Sequence, residues 1–224
     1  MTKTVIIKYN AGNIRSVLFA LERIGVEAIV TDDHDEIRNA DRVIFPGVGE
    51  ASSAMKYLKE KGLVEVIRSL KQPVLGICLG MQLMCDFSDE NNTPCLGVFQ
   101  QKVLKFPEDK GMKVPQIGWN NIGNLRSPLF AGVDEQAFVY FVHGYYVESC
   151  ADSIATTNYI TNYSSAIQKD NFYAVQFHPE KSGEAGEQIL RNFISIKSTD
   201  RRPQSTDNSQ RTTVNSQQTV DRRP

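Results

Sequence analysis

The most informative stretch of this sequence is Pro73-Val74-Leu75-Gly76-Ile77-Cys78-Leu79-Gly80-Met81-Gln82. Its apolar run is typical of a buried strand that ends on Cys78, and the residues that follow favour a helix. Gly76 and Gly80 leave room on either side of the corner. This is the spacing of a nucleophile elbow, with a sulfur in place of the serine oxygen. The start of a helix stabilises a thiolate, so Cys78 is a candidate nucleophile.

A second segment, Tyr173-Ala174-Val175-Gln176-Phe177-His178-Pro179-Glu180, places a histidine and a carboxylate after another apolar run. His178 is a candidate base for Cys78, and Glu180 is a candidate to orient the imidazole. Each signal alone is weak, because a buried cysteine is usually a small core residue and His-Pro-Glu is usually a turn. We interpret the other three cysteines, Cys85, Cys95 and Cys150, as small core residues of this kind.

The order of elements predicts an α/β fold with a mostly parallel central sheet, helices on both faces and added antiparallel strands. Buried strands are expected at residues 5–7, 26–30, 42–45 and 74–77, with helices at 51–61 and 63–70 between them. The second half favours strands at residues 99–104, 136–142, 154–159, 165–168 and 172–177, followed by a helix at 186–196. Ligands gather beyond the carboxyl ends of such parallel strands. Cys78 and the loop Pro46-Gly47-Val48-Gly49 are both expected at that edge.

The Cys78 segment, the His178 segment and Phe45-Pro46-Gly47-Val48-Gly49-Glu50 together resemble the class I, or triad-type, glutamine amidotransferases. Four segments resemble, more closely still, the glutaminase subunits of imidazole glycerol phosphate synthase. The segments are Tyr9-Asn10-Ala11-Gly12-Asn13-Ile14-Arg15-Ser16, Pro46-Gly47-Val48-Gly49, Val114-Pro115-Gln116-Ile117-Gly118-Trp119-Asn120 and Gln176-Phe177-His178-Pro179-Glu180-Lys181-Ser182-Gly183. The likeness runs in order from Thr4 to Phe193. The first and third segments make it specific to the subfamily.

The resemblance implies a role for each group of residues. Cys78, His178 and Glu180 would form the catalytic triad, and the backbone amides of Val48 and Leu79 the oxyanion hole. Residues expected to hold the substrate glutamine are Gly47, Gly49, Gln82, Glu90, His143, Gly144 and Tyr145. Residues expected to face a partner are Asn13, Gln116, Trp119, Asn120 and Lys181. No metal and no cofactor are expected.

Two positions depart from the subfamily pattern in the segments expected to face the partner. Lys8 stands where an acidic residue is more usual, and Gln116 where a histidine is usual. Neither belongs to the expected triad, so the departures concern the interface and not glutamine hydrolysis.

The resemblance also implies a function and a partner. The chain would hydrolyse glutamine through a cysteine thioester and pass ammonia to a cyclase subunit, a (β/α)8 barrel, as a heterodimer in histidine biosynthesis. One alternative is the glutaminase subunit of another synthase, such as one that makes anthranilate, but the Gly118-Trp119-Asn120 segment argues against it. Another is a regulatory module that kept the fold without the chemistry, and the intact Cys78, His178 and Glu180 set argues against that.

Composition limits the remaining classes of function. The 224 residues carry a formal net charge of −1, which gives no reason to expect a nucleic-acid partner or a membrane surface. The four cysteines lack zinc-site spacing and favour free thiols. With no apolar run as long as a membrane span and no leader before the first strand, we expect a cytoplasmic protein.

The chain is expected to divide into an amidotransferase domain, residues 1–197, and a polar tail, residues 198–224. From Asp200 onward the tail has five arginines, three aspartates and only two valines as apolar residues. Such a composition buries too little apolar surface to repay the entropy of ordering, so disorder is expected.

Overall fold

The computed structural model describes residues 2–10, 12–108 and 111–197, and the predicted tail lies outside them. Thirteen strands are formed in this part of the chain. They are β1 (Thr4–Ile7), β2 (Ala28–Thr31), β3 (Arg42–Gly47), β4 (Val74–Cys78), β5 (Phe87–Ser88), β6 (Thr93–Pro94), β7 (Lys102–Lys105), β8 (Gln116–Asn121), β9 (Phe138–His143), β10 (Tyr145–Val147), β11 (Ser153–Tyr159), β12 (Thr161–Lys169) and β13 (Phe172–Val175).

Six α-helices accompany these strands in the described residues. They are α1 (Ile14–Arg23), α2 (His34–Arg38), α3 (Ala51–Glu60), α4 (Leu63–Arg68), α5 (Leu79–Met84) and α6 (Gly183–Ser195). None of the helices in this part of the chain is long and apolar enough to cross a membrane.

A seven-stranded sheet forms the centre, in the order β11-β12-β13-β4-β3-β1-β2. The strands from β13 to β2 pair in parallel, whereas β12 and β11 are added in antiparallel fashion at one edge. The predicted fold class, a mostly parallel sheet with added antiparallel strands, is therefore confirmed.

Alternation along the central strands sends side chains into two separate cores. Val5 and Ile7 of β1 pack in one cluster with Met55 and Leu58 of α3. Ile6, which points to the other face, packs in a second cluster that includes residues of α1 and α6. Because both faces of the sheet are covered by helices, its central strands are apolar throughout rather than alternating with polar residues.

Two smaller sheets stand beside the central one. One has the order β10-β7-β5-β6, and the other is the antiparallel pair β8-β9. The sequence pattern did not predict β8, because Gln116–Asn121 is rich in polar residues and contains Gly118. Its pairing with β9 at all six positions supplies the hydrogen bonds that the local sequence does not signal.

The corner between β4 and α5 depends on glycine. Cys78 has φ 53° and ψ −107°, so the chain turns sharply there. A Cβ atom on Gly80 would lie 1.8 Å from the carbonyl oxygen of Phe45 on β3, which no side chain could tolerate. β3 also pairs with β4 so that Gly47 lies opposite Cys78. The Gly47-Val48-Gly49 loop is therefore held beside the cysteine.

We expect Gly80→Ala to destabilise the protein strongly, because the added methyl group meets a backbone carbonyl that cannot move without breaking the β3–β4 pairing. Overpacking typically costs about 1–3 kcal/mol, and a clash with backbone lies at the upper end of this range, so the melting temperature should fall by about 6 °C or more. Gly144→Ala is the matched control, since its added Cβ would meet only ordinary contacts at 3.8 and 3.9 Å. Equal melting temperatures for the two variants would contradict this account of the corner.

Candidate active site

Cys78 lies at the carboxyl end of β4, where the sheet opens to a cleft. Only 6% of the residue is exposed. Its sulfur lies 3.8 Å from the carbonyl oxygen of Val142 and 3.7 Å from Nε2 of Gln176. A positive φ on a residue other than glycine is a strained conformation that is found most often at functional sites. The thiol is thus fixed in place by its backbone and reached from one side.

His178 and Glu180 follow β13, the neighbour of β4 in the sheet. The turn that begins at Pro179 folds Glu180 back, so that its Oε1 lies 2.7 Å from Nδ1 of His178. Both side chains are buried. This bond fixes the Nδ1 proton on the side of the carboxylate. Nε2 of His178 has no aligned hydrogen-bond partner among the described residues.

The protonation of His178 is controlled by its two neighbours. Burial by itself lowers the pKa of His178, but interactions with Cys78 and Glu180 outweigh it and raise that pKa from 6.5 to about 10. The interaction with Cys78 is not an aligned hydrogen bond, and such bonds between catalytic groups often tighten only when the substrate binds. At neutral pH the imidazole therefore keeps a proton that it can donate.

Asn13, which the sequence places among the residues expected to face a partner, also contacts this pair. Its Nδ2 donates a short hydrogen bond to Oε1 of Glu180 and lies 3.4 Å from Nδ1 of His178. Asn13 adopts a left-handed conformation, φ 74°, just before α1. The sequence pattern did not predict this contact, because β1 and the His-Pro-Glu segment lie far apart in the chain and meet only through the sheet.

The cleft next to Cys78 has a volume of about 290 Å3. Its walls hold Cys78, both expected oxyanion residues and every expected substrate residue except Gly47. Gly47 instead faces the hydroxyl of Tyr9, which would lie 2.1 Å from a Cβ atom there. Pro115 and Val142 complete the walls and were not predicted.

Polar groups in the cleft are oriented by neighbouring backbone. Glu90 accepts a hydrogen bond from the amide of Ala51 at 2.7 Å, at the first residue of α3. Burial raises the pKa of Glu90, the Ala51 bond lowers it, and the charge of Glu50 raises it further. Gln82 is buried, and its Nε2 donates to the carbonyl of Tyr145 at 3.2 Å and to Oε1 of Gln176 at 3.1 Å. Its Oε1 is left for other partners.

His143 is a neutral wall of this cleft. Its Nδ1 lies 2.7 Å from the carbonyl oxygen of Tyr145, and its Nε2 lies 3.3 Å from the hydroxyl of Tyr163. Burial lowers the pKa of His143 to about 4, against a smaller opposing effect of the Tyr145 bond. The site thus contains one histidine that favours its protonated form and one that favours its neutral form.

The outer face of the β8–β9 pair carries a cluster of exposed side chains. Trp119 is 56% exposed and packs edge-on against Tyr140, with ring centroids 6.0 Å apart. The ammonium of Lys181 lies 5.6 Å from the centroid of the Tyr140 ring. Ile117 and Phe138 are 64% and 62% exposed on the same two strands. We call these five residues the outer hairpin face.

Two residues expected at the partner face are placed differently from Trp119 and Lys181. Gln116 is only 3% exposed and accepts a hydrogen bond from the Tyr163 hydroxyl at 3.0 Å, so its side chain cannot meet a partner at the surface. Strand alternation explains this, since Gln116 and Ile117 must point to opposite sides of β8. Asn120 is half-buried, and its Nδ2 donates to the carbonyl of Asn158. Lys8, the other departure from the subfamily, is exposed at the end of β1.

No group of three or more histidine, cysteine, aspartate or glutamate side chains suited to a metal ion occurs in the residues that the structure describes. The four cysteines are free thiols. Burial raises the pKa of Cys85, and it raises that of Cys95 to about 12. Of the cysteines, only Cys78 lines the cleft beside the expected substrate residues.

Comparison with known proteins identifies the class to which this fold and site belong. The sequence profile of the class-I glutamine amidotransferases matches residues 5–196, and the chain belongs to that family. In structure it is similar to a glutamine amidotransferase with a TM-score of 0.66 at 19% identity, covering 85% of this chain and 96% of the other. It is also similar to PurLQS from Thermotoga maritima, with a TM-score of 0.63 at 16% identity and 86% and 97% coverage.

Proteins with similar sequences narrow the comparison to one kind of glutamine amidotransferase subunit. The chain is 58% identical over 195 residues to the imidazole glycerol phosphate synthase subunit HisH of Bacteroides fragilis, covering 87% of this chain and 100% of that protein. It is 47% identical over 195 residues to the subunit of the same name from Haemophilus influenzae, with 87% and 98% coverage. The resemblance drawn from the sequence segments is confirmed.

We expect His143→Gln to reduce the loss of stability on acidification. The folded-state pKa of His143, about 4, lies below the unfolded value of about 6.5, so its contribution is present above pH 6.5 and is lost as the pH falls toward 4. Over this whole pH range, the protein loses about 3 kcal/mol of its free energy of unfolding through His143. The stability linked to His178 has the opposite sign. It is fully present below pH 6.5 and lost toward pH 10, so it changes little in this range.

Urea unfolding at pH 7 and pH 4.5 measures the effect. The wild type should lose more free energy of unfolding between the two values than His143→Gln, by about 2 kcal/mol. His34→Gln, at the start of α2, keeps His143 and serves as the control with wild-type behaviour. If the wild type and His143→Gln lose the same free energy of unfolding between pH 7 and pH 4.5, the buried imidazole does not favour its neutral form.

Proposed function

We propose that this chain is the glutaminase subunit of imidazole glycerol phosphate synthase, and that it releases ammonia from glutamine for a cyclase partner in histidine biosynthesis. The observation that carries the proposal is a histidine–carboxylate pair beside a cysteine at the mouth of a small cleft, in a chain that is 58% identical to a HisH subunit over 195 residues. The cleft volume of about 290 Å3 lies at the lower limit of small-molecule sites, about 300–1,000 Å3, which suits a ligand as small as one amino acid.

In the first half of the proposed reaction, the proton of the Cys78 thiol passes to Nε2 of His178, and the thiolate sulfur attacks the side-chain carboxamide carbon of glutamine. The carbon–nitrogen bond then breaks, the Nε2 proton of His178 goes to the departing ammonia, and a thioester remains. In the second half, His178 removes a proton from water, the hydroxide cleaves the thioester, and glutamate leaves. Glu180 stabilises the imidazolium whenever it is present.

Two backbone amides would stabilise the oxyanion. The Leu79 amide lies at the first residue of α5, where helix N–H groups have no partner within the helix. The Val48 amide comes from the loop beside Cys78, between Gly47 and Gly49. Each such donor typically contributes about 2.7–4 kcal/mol to the transition state. The carboxylate of Glu90, whose Oε2 is held by Ala51, is placed to attract the ammonium group of the substrate.

We assign the partner site to the outer hairpin face. Exposed apolar clusters on a protein surface commonly mark interaction sites. β9 connects this face to the site, because the carbonyl of Tyr140 accepts a hydrogen bond from the backbone amide of His178 at 2.9 Å. A cyclase of (β/α)8 form that docks here in a cytoplasmic heterodimer would receive ammonia released on the other side of the same two strands.

Cys78→Ala should abolish glutamine-dependent synthesis by the complex with its cyclase and leave synthesis from added ammonium salts intact. The thiol serves only the release of ammonia, and cyclisation takes place on the partner. Cys150→Ala, half-buried and outside the cleft, is the control and should retain both activities. A Cys78→Ala complex that also fails with ammonium salts would show that the two activities are not divided in this way.

The isolated chain should hydrolyse glutamine slowly and become roughly a hundred-fold faster when the cyclase binds, which corresponds to one oxyanion donor of about 3 kcal/mol. Flanking glycines allow the Val48 peptide plane to adopt more than one orientation at little steric cost, and Gly49 already has φ 121°. A docked partner would favour the orientation that aims the amide at the oxyanion.

Glutamate release at saturating glutamine, with increasing cyclase, measures this activation. Trp119→Ala should need more cyclase to reach half-maximal activation, because it removes the largest side chain of the outer hairpin face, which is 56% exposed. Ile29→Ala, which removes an exposed apolar side chain from the edge strand β2, should behave as the wild type does. Equal turnover with and without the cyclase would refute the gating by Val48.

A further inference from the structure

Gln176 is a fully buried polar residue that the reaction described above does not use. It follows directly after β13, and its backbone amide donates to the carbonyl of Ser165 on β12. The side chain extends toward β4, where Nε2 lies 3.7 Å from Sγ of Cys78. Burying an amide side chain costs free energy unless its hydrogen bonds are made, so the partners of Gln176 must be identified.

The direction of the hydrogen bonds around Gln176 is determined by a single backbone carbonyl. The Tyr145 carbonyl can only accept, so the group that faces it must be the NH2 of Gln82. That NH2 has two hydrogens, and the second one points at Gln176, which must therefore present its Oε1. The NH2 of Gln176 is left facing the sulfur.

We propose that Gln176 is a catalytic hydrogen-bond donor that stabilises the thiolate of Cys78, and that Gln82 holds it in the donating orientation. The proposal rests on the proposed role of Cys78 as the nucleophile. A thiolate accepts a hydrogen bond much more strongly than a thiol does, so a fixed N–H donor favours the ionised form. The same chain of bonds ties the nucleophile to the cleft wall at Tyr145.

Gln176 differs from His178 in how it acts on the sulfur. His178 supplies a charge that it must give up during the reaction, whereas the amide donor is neutral and stays the same throughout. The titratable groups around Cys78 are His178 with Glu180, Tyr9 just after β1, and three cleft-wall residues, Glu90, His143 and Tyr145. All of them are retained when Gln176 alone is replaced.

Alkylation of Cys78 by iodoacetamide as a function of pH tests the proposal on the full chain. Gln176→Met keeps the size of the side chain and removes the donor, so the midpoint of the alkylation profile should rise by about one pH unit, a tenfold decrease in thiolate. Gln176→Glu should raise it further, because a carboxylate would face the sulfur. The modified cysteine is identified by peptide mass spectrometry, which separates Cys78 from the three other thiols.

Gln72→Met is the matched control. Gln72 is also a buried amide, and its Nε2 donates to the carbonyl of Ile37, away from the cleft. It should lose stability as Gln176→Met does and keep the wild-type midpoint. Gln82→Met should shift the midpoint upward by less than Gln176→Met, since Gln176 keeps its donor but loses the bond that orients it.

An unchanged midpoint in a folded Gln176→Met protein would overturn the proposal. If both Gln176 variants fail to fold, an unchanged midpoint in Gln82→Met would overturn it instead. The readout does not require glutamine. A chain that shows the shift but hydrolyses no glutamine in complex with its cyclase would refute the proposed function and leave the role of Gln176 standing.

Discussion

The contact between Gly80 and the carbonyl of Phe45 is the constraint on which the arrangement of the site depends. It allows the first turn of α5 to lie directly against β3, and this in turn brings the Val48 loop opposite Cys78. The strained backbone of Cys78 persists because parallel pairing on both sides of β4 holds it. A side chain at position 80 would separate the proposed nucleophile from Val48, one of its two proposed oxyanion donors.

The two buried histidines of the site favour opposite protonation states because their surroundings differ. His178 lies between a thiol and a carboxylate, and it favours the charged form in spite of its burial. His143 packs against aromatic rings such as that of Tyr163, and burial has the largest effect on its pKa. It therefore favours the neutral form. The difference comes from the two neighbours of His178, the Cys78 thiol and the Glu180 carboxylate. The turn at Pro179 brings the carboxylate to within 2.7 Å of the imidazole. Asn13 adds a second donor to that carboxylate from across the sheet.

The β8–β9 pair is where hydrolysis and the partner would meet. Its inner side bears His143 at the cleft, and its outer side bears Trp119 and Tyr140. β9 is also bonded to the turn that carries His178, because the backbone amide of Tyr140 donates to the Ser182 hydroxyl, which in turn donates to the His178 carbonyl. A partner bound to the outer hairpin face would thus act on a strand that is hydrogen-bonded to the turn that carries His178.

The sequence by itself determined the central strands, the Cys78 corner and the family, because those features are local. Apolar runs, glycine spacing and short motifs lie within a few residues of one another. The tertiary structure decided what depends on strand pairing. It placed Asn13 against Glu180, buried Gln116 beside Tyr163, formed β8 from a polar stretch and aimed Gln176 at the sulfur. Each of these contacts joins residues far apart in the chain, and no local pattern specifies which side chains a sheet will bring together.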